Sequence, residues 1–165
     1  MEKKVVPKTG KVADLIIDFL IDMPIFDNVV AQELKIVASY MNIIDAEPGE
    51  ILFKEGDKGD YVCFIVEGIL EIIKKTVEGK NVVISTLSKG RSIGEMSVID
   101  QSPRSASVRA KTKATLITLS QDNLNLLLEE DCKVGAKIVK GISRLLSMNM
   151  RKTSSRLADY LLPLG

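Results

Sequence analysis

The chain has 165 residues, 45% of them hydrophobic, with 23 basic against 22 acidic side chains and a formal net charge of +1. That length suits one domain with a helical extension, and the balanced charge gives no support to general nucleic-acid binding. The absence of histidine excludes His-based general-base catalysis, Ser-His-Asp triads and His-ligated metal sites.

The two cysteines, Cys63 and Cys132, lie far apart and outside any CxxC pattern. Cys63 sits in an apolar run and reads as a small core residue, so a disulfide framework is not expected and a reducing cytoplasm is the natural setting. The first residues are charged, and no small-residue cleavage site follows a hydrophobic run, so no secretory signal is visible. The apolar run from Leu15 to Phe26 is interrupted by Asp18 and Asp22 and does not predict a membrane span.

In chain order, residues 1–10 are polar, carry Pro7 and Gly10, and are expected to be loose. Val12 to Met23 places Leu15, Ile16, Phe19 and Leu20 at helical spacing, and Pro24 ends the pattern. Gln32 to Met41 repeats the spacing through Leu34, Val37, Ala38 and Met41, with Asp27 or Asn28 as the expected N-cap.

From Asn42 the pattern changes to short strands: Asn42 to Ala46, Ile51 to Phe53, Tyr61 to Val66, Ile69 to Lys75, Val82 to Leu87, Ser105 to Ala110 and Ala114 to Leu119. Turns rich in Gly and Pro separate them, and Gly68 is expected to break or bulge the line between two of them. Short strands without interleaved helices predict a mainly β chain, an antiparallel jelly roll or barrel with N-terminal helices.

Gln121 to Glu129 reads as a further helix, and Asp131 can cap a long last one, from Cys132 to about Leu161. Val139, Ile142, Leu146, Asn149, Thr153 and Tyr160 recur at steps of three, four or seven, which predicts a homodimer seam in which Asn149 can fix register. The alternative is a helix packed on its own barrel. Lys133, Lys137, Lys140, Arg144, Arg151 and Arg156 read as its wet face. The expected divisions are an N-terminal segment and helix at 1–24, a β domain at 25–130 and a C-terminal lid and dimerisation helix at 131–165.

The one stretch built for a ligand runs from Gly90 to Val108. Gly94 lets backbone N–H groups approach an anion, and Met96 to Ile99 can form a helical turn whose N-terminal end suits a phosphate. Arg104 adds a planar, permanent cation and Ser105 a hydroxyl. Glu95 repels phosphate, but it makes sense if it accepts a hydrogen bond from a ribose hydroxyl. The bland alternative is a surface loop with an incidental Glu95–Arg104 ion pair.

Gly94-Glu95-Met96-Ser97-Val98 followed by Pro103-Arg104-Ser105-Ala106 resembles the phosphate-binding cassette of the cyclic nucleotide-binding domain family. Pro48-Gly49-Glu50, Glu55-Gly56-Asp57 and Val66-Glu67-Gly68 sit where that family places its turns, and the likeness covers roughly residues 25–160. The resemblance implies a 3′,5′-cyclic nucleotide as ligand, with no metal and no other cofactor. Arg104 and the short helix of the cassette, in which Met96 and Ser97 are counted among the ligand-binding residues, would neutralise the phosphate, Glu95 would bind the ribose 2′-hydroxyl, and Val66, Ile84 and Leu87 the sugar and base.

Thr153-Ser154 resembles the base-contacting pair of the bacterial catabolite activator branch and implies cAMP over cGMP. There are departures from the family pattern. Ser92 and Ile93 stand where many members have an aromatic, Ser97 replaces a small apolar residue, and Ser105 leaves the choice of base open. Three functions compete. The first is a cyclic nucleotide sensor whose last helix moves to signal an unknown downstream protein, standing alone or as the sensor half of a DNA-binding regulator. The second is a cupin-like enzyme, which the lack of His excludes. The third is a degenerate barrel used only for protein interaction, against which Glu95 and Arg104 argue. With no helix-turn-helix before Gly165, no DNA binding by this chain alone is expected.

Overall fold

The computed structural model describes residues 10–161. The segment 1–9, expected to be loose, and the last four residues lie outside them.

The run Tyr61–Glu67 (β3) is buried on both of its faces, and that places it centrally. Successive strand residues point to opposite sides. Cys63 and Ile65 therefore face a second sheet, whereas Val62 and Phe64 face a layer of helices. β3 belongs to a four-stranded sheet ordered β1-β8-β3-β6, with Met41–Ala46 as β1, Ser92–Ile93 as β6 and Ala114–Ser120 as β8. The facing sheet is ordered β2-β7-β4-β5, with Ile51–Phe53, Ser107–Ala110, Ile69–Lys75 and Asn81–Ser88. All pairings are antiparallel. The result is a jelly-roll-like sandwich of two sheets, not a closed barrel.

Between the sheets lie Phe53, Cys63, Ile65, Leu70, Val108 and Leu116. Gly68 explains how the chain crosses from β3 to β4: its φ is +94°, and an added Cβ would fall 2.4 Å from the Lys113 carbonyl oxygen. β5 is an edge strand. Ile72 pairs with Ser85 and Ile73 with Val83, so Ile84 is the extra residue of a bulge.

The helical layer covers the other face of the first sheet. Helix α1 (Gly10–Leu20) stops before the expected Met23, and Pro24–Phe26 form a single 3-10 turn. Helix α2 (Ala31–Ser39) begins later than Asp27 or Asn28 could cap. The Glu33 carboxylate instead accepts from the Val30 N–H at 2.9 Å, and Met41 belongs to β1. Helix α4 (Gln121–Glu130) is capped by Ser120, and the Tyr40 hydroxyl donates to Glu130, tying α4 to the end of α2. Asp131 caps α5 (Cys132–Leu161), its carboxylate accepting from the Val134 N–H at 3.1 Å.

The first half of α5 is part of this chain's own core. Val134, Ile138 and Ile142 are buried with Phe26, Leu34 and Leu127, and Val139 and Leu146 pack against the same cluster. Ile142 is 0% exposed, which removes it from the expected dimer seam. Gly141 lets α5 lie against the Ile25 carbonyl, where a Cβ would meet the oxygen at 2.1 Å. Two of the six basic residues expected on a wet face are fasteners: Lys137 pairs with Glu33 at 2.6 Å, and Arg144 donates to the Pro24 carbonyl at 2.6 Å and to Asp27 at 3.1 Å. Beyond Met150 every described residue of the helix is exposed.

Candidate functional site

The chain turns through Gly94 at φ +88° and enters α3 (Glu95–Asp100), slightly longer than the expected turn. Gly94 is required there, because a Cβ would lie 2.4 Å from Nη1 of Arg104. Val98 anchors α3 in the helical core that also holds Ile138 and Ile142, and Met96 points outward. The following loop delivers Arg104 to the inside of the sandwich.

Arg104 is 3% exposed. Its backbone is held by the loop between β2 and β3: its N–H donates to the Asp57 carbonyl at 2.8 Å, and its carbonyl accepts from Gly56 at 2.9 Å. Gly59 packs against Ser97 and the Arg104 stem, leaving no room for a Cβ. The guanidinium carbon lies 4.0 Å from the Phe53 ring centroid and 4.6 Å from that of Tyr61. Nη1 donates to the Gly94 carbonyl at 3.2 Å. Nε and Nη2 are buried without a partner. These two N–H groups form one edge of the guanidinium, the edge that matches two oxygens of a phosphate.

Glu95 is buried beside this group at 7% exposure, yet none of the ion pairs among the described residues involves Arg104. The incidental Glu95–Arg104 pair is therefore absent. Burial pushes the Glu95 carboxyl above its ordinary pKa, against the pull of its own backbone N–H, Arg91 and Arg104. The Cys63 thiol behind it is pushed up to about 12, chiefly by burial, and is an inert core group. A buried cation with a free edge and, beside it, a buried carboxylate not paired with it together suit a ligand that carries both an anion and a hydroxyl.

The other expected site residues are dispersed. Ser105 is exposed, and its carbonyl accepts from Lys74 Nζ at 2.5 Å; Ala106 is half-buried. The strand expected from Ser105 begins only at Ser107. Leu87 packs on the inner cluster. Val66 packs instead against the helical core, at the point where the register of β3 against β8 shifts between Ile65 and Glu67. Ile84 is 58% exposed on the edge strand. Thr153 and Ser154 are exposed, and the Thr153 hydroxyl donates to the Asn149 carbonyl at 2.9 Å.

Sequence reasoning missed Phe53, Tyr61 and Gly59, which shape the arginine's surroundings. Ile72 shares the inner parity of buried Leu70. Only that parity was legible beforehand. A concavity of about 470 Å³ lies on the outer face of the second sheet, along Ile51, Ile73, Val83 and Arg109, and includes none of the cassette.

The family model described as the cyclic nucleotide-binding domain matches residues 43–131. The chain belongs to the cyclic nucleotide-binding domain family. It is 34% identical over 110 residues to a cAMP-dependent protein kinase regulatory subunit of Yarrowia lipolytica, a match covering 67% of this chain and 28% of that protein. It is 23% identical over 137 residues to a CRP-like cAMP-activated global transcriptional regulator of Mycobacterium tuberculosis, covering 83% and 59% respectively.

Among solved structures, a cyclic nucleotide-binding domain from Methylobacillus flagellatus KT superposes with a TM-score of 0.80 at 31% identity, covering 91% of this chain and 84% of that one. The chain thus spans between about a quarter and three-fifths of the two curated relatives' length. In this cyclic nucleotide-binding domain, the free Arg104 edge and the Glu95 carboxylate come from the segment that resembles the family's cassette.

Proposed function

We propose that this chain is a sensor, not an enzyme, that binds a 3′,5′-cyclic nucleoside monophosphate, with cAMP preferred over cGMP. The observation that carries the reading is the buried Nε–Nη2 edge of Arg104, which has no partner in the protein. A singly charged cyclic phosphate supplies two oxygens to that edge and neutralises the cation. Glu95 accepts from the ribose 2′-hydroxyl, and Leu87 and Ile72 line the sugar and base. The relatives named for cAMP and for regulation support this class of ligand.

Signalling goes through α5. The cassette helix α3 packs against α5, and Val98 shares a buried cluster with Ile138 and Ile142. A shift of α3 on binding therefore alters the seat of α5. The exposed end of α5 then brings Thr153 and Ser154 over the base, within one copy or across a homodimer, and a downstream protein senses the change. The reading places this sensor in the cytoplasm; no helix among the described residues is long and apolar enough to cross a membrane.

Calorimetric titration with cAMP and cGMP, paired with amide exchange, tests the reading. Tighter binding of cAMP and slowed exchange at residues 150–156 are expected. Binding of neither nucleotide would refute the function. Equal binding of both, with unchanged exchange, would show that α5 does not sense the base.

A further inference from the structure

We propose that Phe53 and Tyr61 are positioning residues that hold Arg104 ready for its anion, in place of the carboxylate that usually accompanies a buried arginine. This rests on Arg104 being the phosphate-binding group.

A buried guanidinium needs compensation for lost water. A carboxylate would provide it, but would occupy the very N–H edge a phosphate must use. Aromatic rings attract a cation through their faces and leave the edges of its plane free. Arg104 shows that arrangement. Its guanidinium carbon is 4.0 Å from the Phe53 centroid and 4.6 Å from the Tyr61 centroid, while Nε and Nη2 remain unpartnered. The rings stand edge to face, with centroids 6.0 Å apart and planes at 77°, so together they form a corner around the cation.

The corner is braced across the sandwich. Phe53 lies on β2 of one sheet and Tyr61 on β3 of the other. The Tyr61 hydroxyl donates to the Leu52 carbonyl at 2.9 Å, fixing its ring relative to Phe53's neighbour. That phenol is pushed up to about 12, chiefly by burial, so the brace remains a neutral donor across the working pH range. The guanidinium is thus oriented before ligand arrives, and binding spends less on ordering it.

The test is a double-mutant cycle on the full chain, titrated with cAMP. Phe53→Leu keeps an apolar side chain and removes the ring face; it should weaken binding roughly three- to tenfold, whereas Phe53→Tyr should stay within about twofold. In an Arg104→Ala background, Phe53→Leu should have no further effect, because the ring acts through the guanidinium. An equal loss in both backgrounds, or no loss in either, overturns the proposal. Tyr61→Leu repeats the cycle from the other sheet should Phe53→Leu unfold.

NMR of the unligated wild type gives a reading free of mutation. The Arg104 Hε resonance should be displaced from its random-coil position by the rings, and a random-coil shift overturns the proposal. Unchanged affinity in Arg104→Ala alone would refute phosphate binding by Arg104; a displaced Hε would then still report the ring contact, separating the two failures.

Discussion

Glu95 and Arg104 share one buried site and do not form an ion pair. Arg104 turns Nη1 to the Gly94 carbonyl and its carbon to the rings of Phe53 and Tyr61, keeping Nε and Nη2 free. Had the two charges paired, each would have satisfied the other, and a ligand would have to break that contact. Left apart, each costs folding free energy that the proposed cyclic nucleotide would recover.

Arg104→Met therefore separates binding from stability. Without nucleotide, its urea unfolding free energy should equal or exceed that of wild type, because a buried cation with two unpaired N–H groups is replaced by an apolar chain. With cAMP, the stabilisation expected of wild type should be absent. A loss of more than about 2 kcal/mol without ligand would show that the guanidinium is chiefly structural.

Glu95 makes stability depend on pH. Its carboxyl is raised on folding, first by burial, so the native state holds its proton more tightly than the unfolded state does. The associated stability is fully present below the unfolded carboxylate value and is lost as pH rises through the raised folded value. Glu95→Gln should thus be more stable than wild type near pH 7 and indistinguishable from it near about pH 4. It should also bind cAMP about tenfold or more weakly. Urea melts at the two pH values check the first part; an equal gap at both would exclude ionisation as the cause.

Gly94→Ala should damage the site more than the fold. The new Cβ would lie 2.4 Å from Arg104 Nη1 at a backbone φ of +88°. Affinity for cAMP should fall by about tenfold or more, with roughly 1–3 kcal/mol of lost stability from the strained backbone. Wild-type affinity in this variant would show that the guanidinium need not stay beneath the cassette.

The two halves of α5 should respond oppositely. Ile142→Ala should cost about 2–5 kcal/mol, since Ile142 is fully buried in the chain's own core. Leu157→Ala and Tyr160→Ala lie on the exposed half and should each change the stability of the isolated chain by less than about 0.5 kcal/mol. If the exposed half forms a homodimer, these two should lower the mass seen by light scattering at micromolar concentration. A dimer insensitive to both would place the interface elsewhere.

The cassette was legible because it is local. Gly94 to Ser97 and Arg104 stand close in the chain, and their residue types carry their chemistry whatever lies around them. The strands were legible for a similar reason: alternation and glycine turns act over a few residues. Alternation shows which residues share a face, but not which face turns toward the ligand. Tyr61–Glu67 is apolar on both sides and its register shifts between Ile65 and Glu67, so only the tertiary contact of Val66 itself places it on the helical side. The bulge at Ile84 then breaks the alternation altogether.

Sequence periodicity likewise marked the stripe along α5 without saying what covers it. The stripe's first half is buried by Phe26, Leu34 and Leu127 of the same chain. The sequence by itself determined the residue types of the cassette segment, with Glu95 and Arg104 in it, and the short-strand pattern of the β domain. Only the tertiary structure decided that Arg104 sits in an aromatic corner with no carboxylate partner, because that depends on two rings from opposite sheets. Such contacts arise where the sheets close on each other, and no local pattern in the chain encodes which side chains then meet.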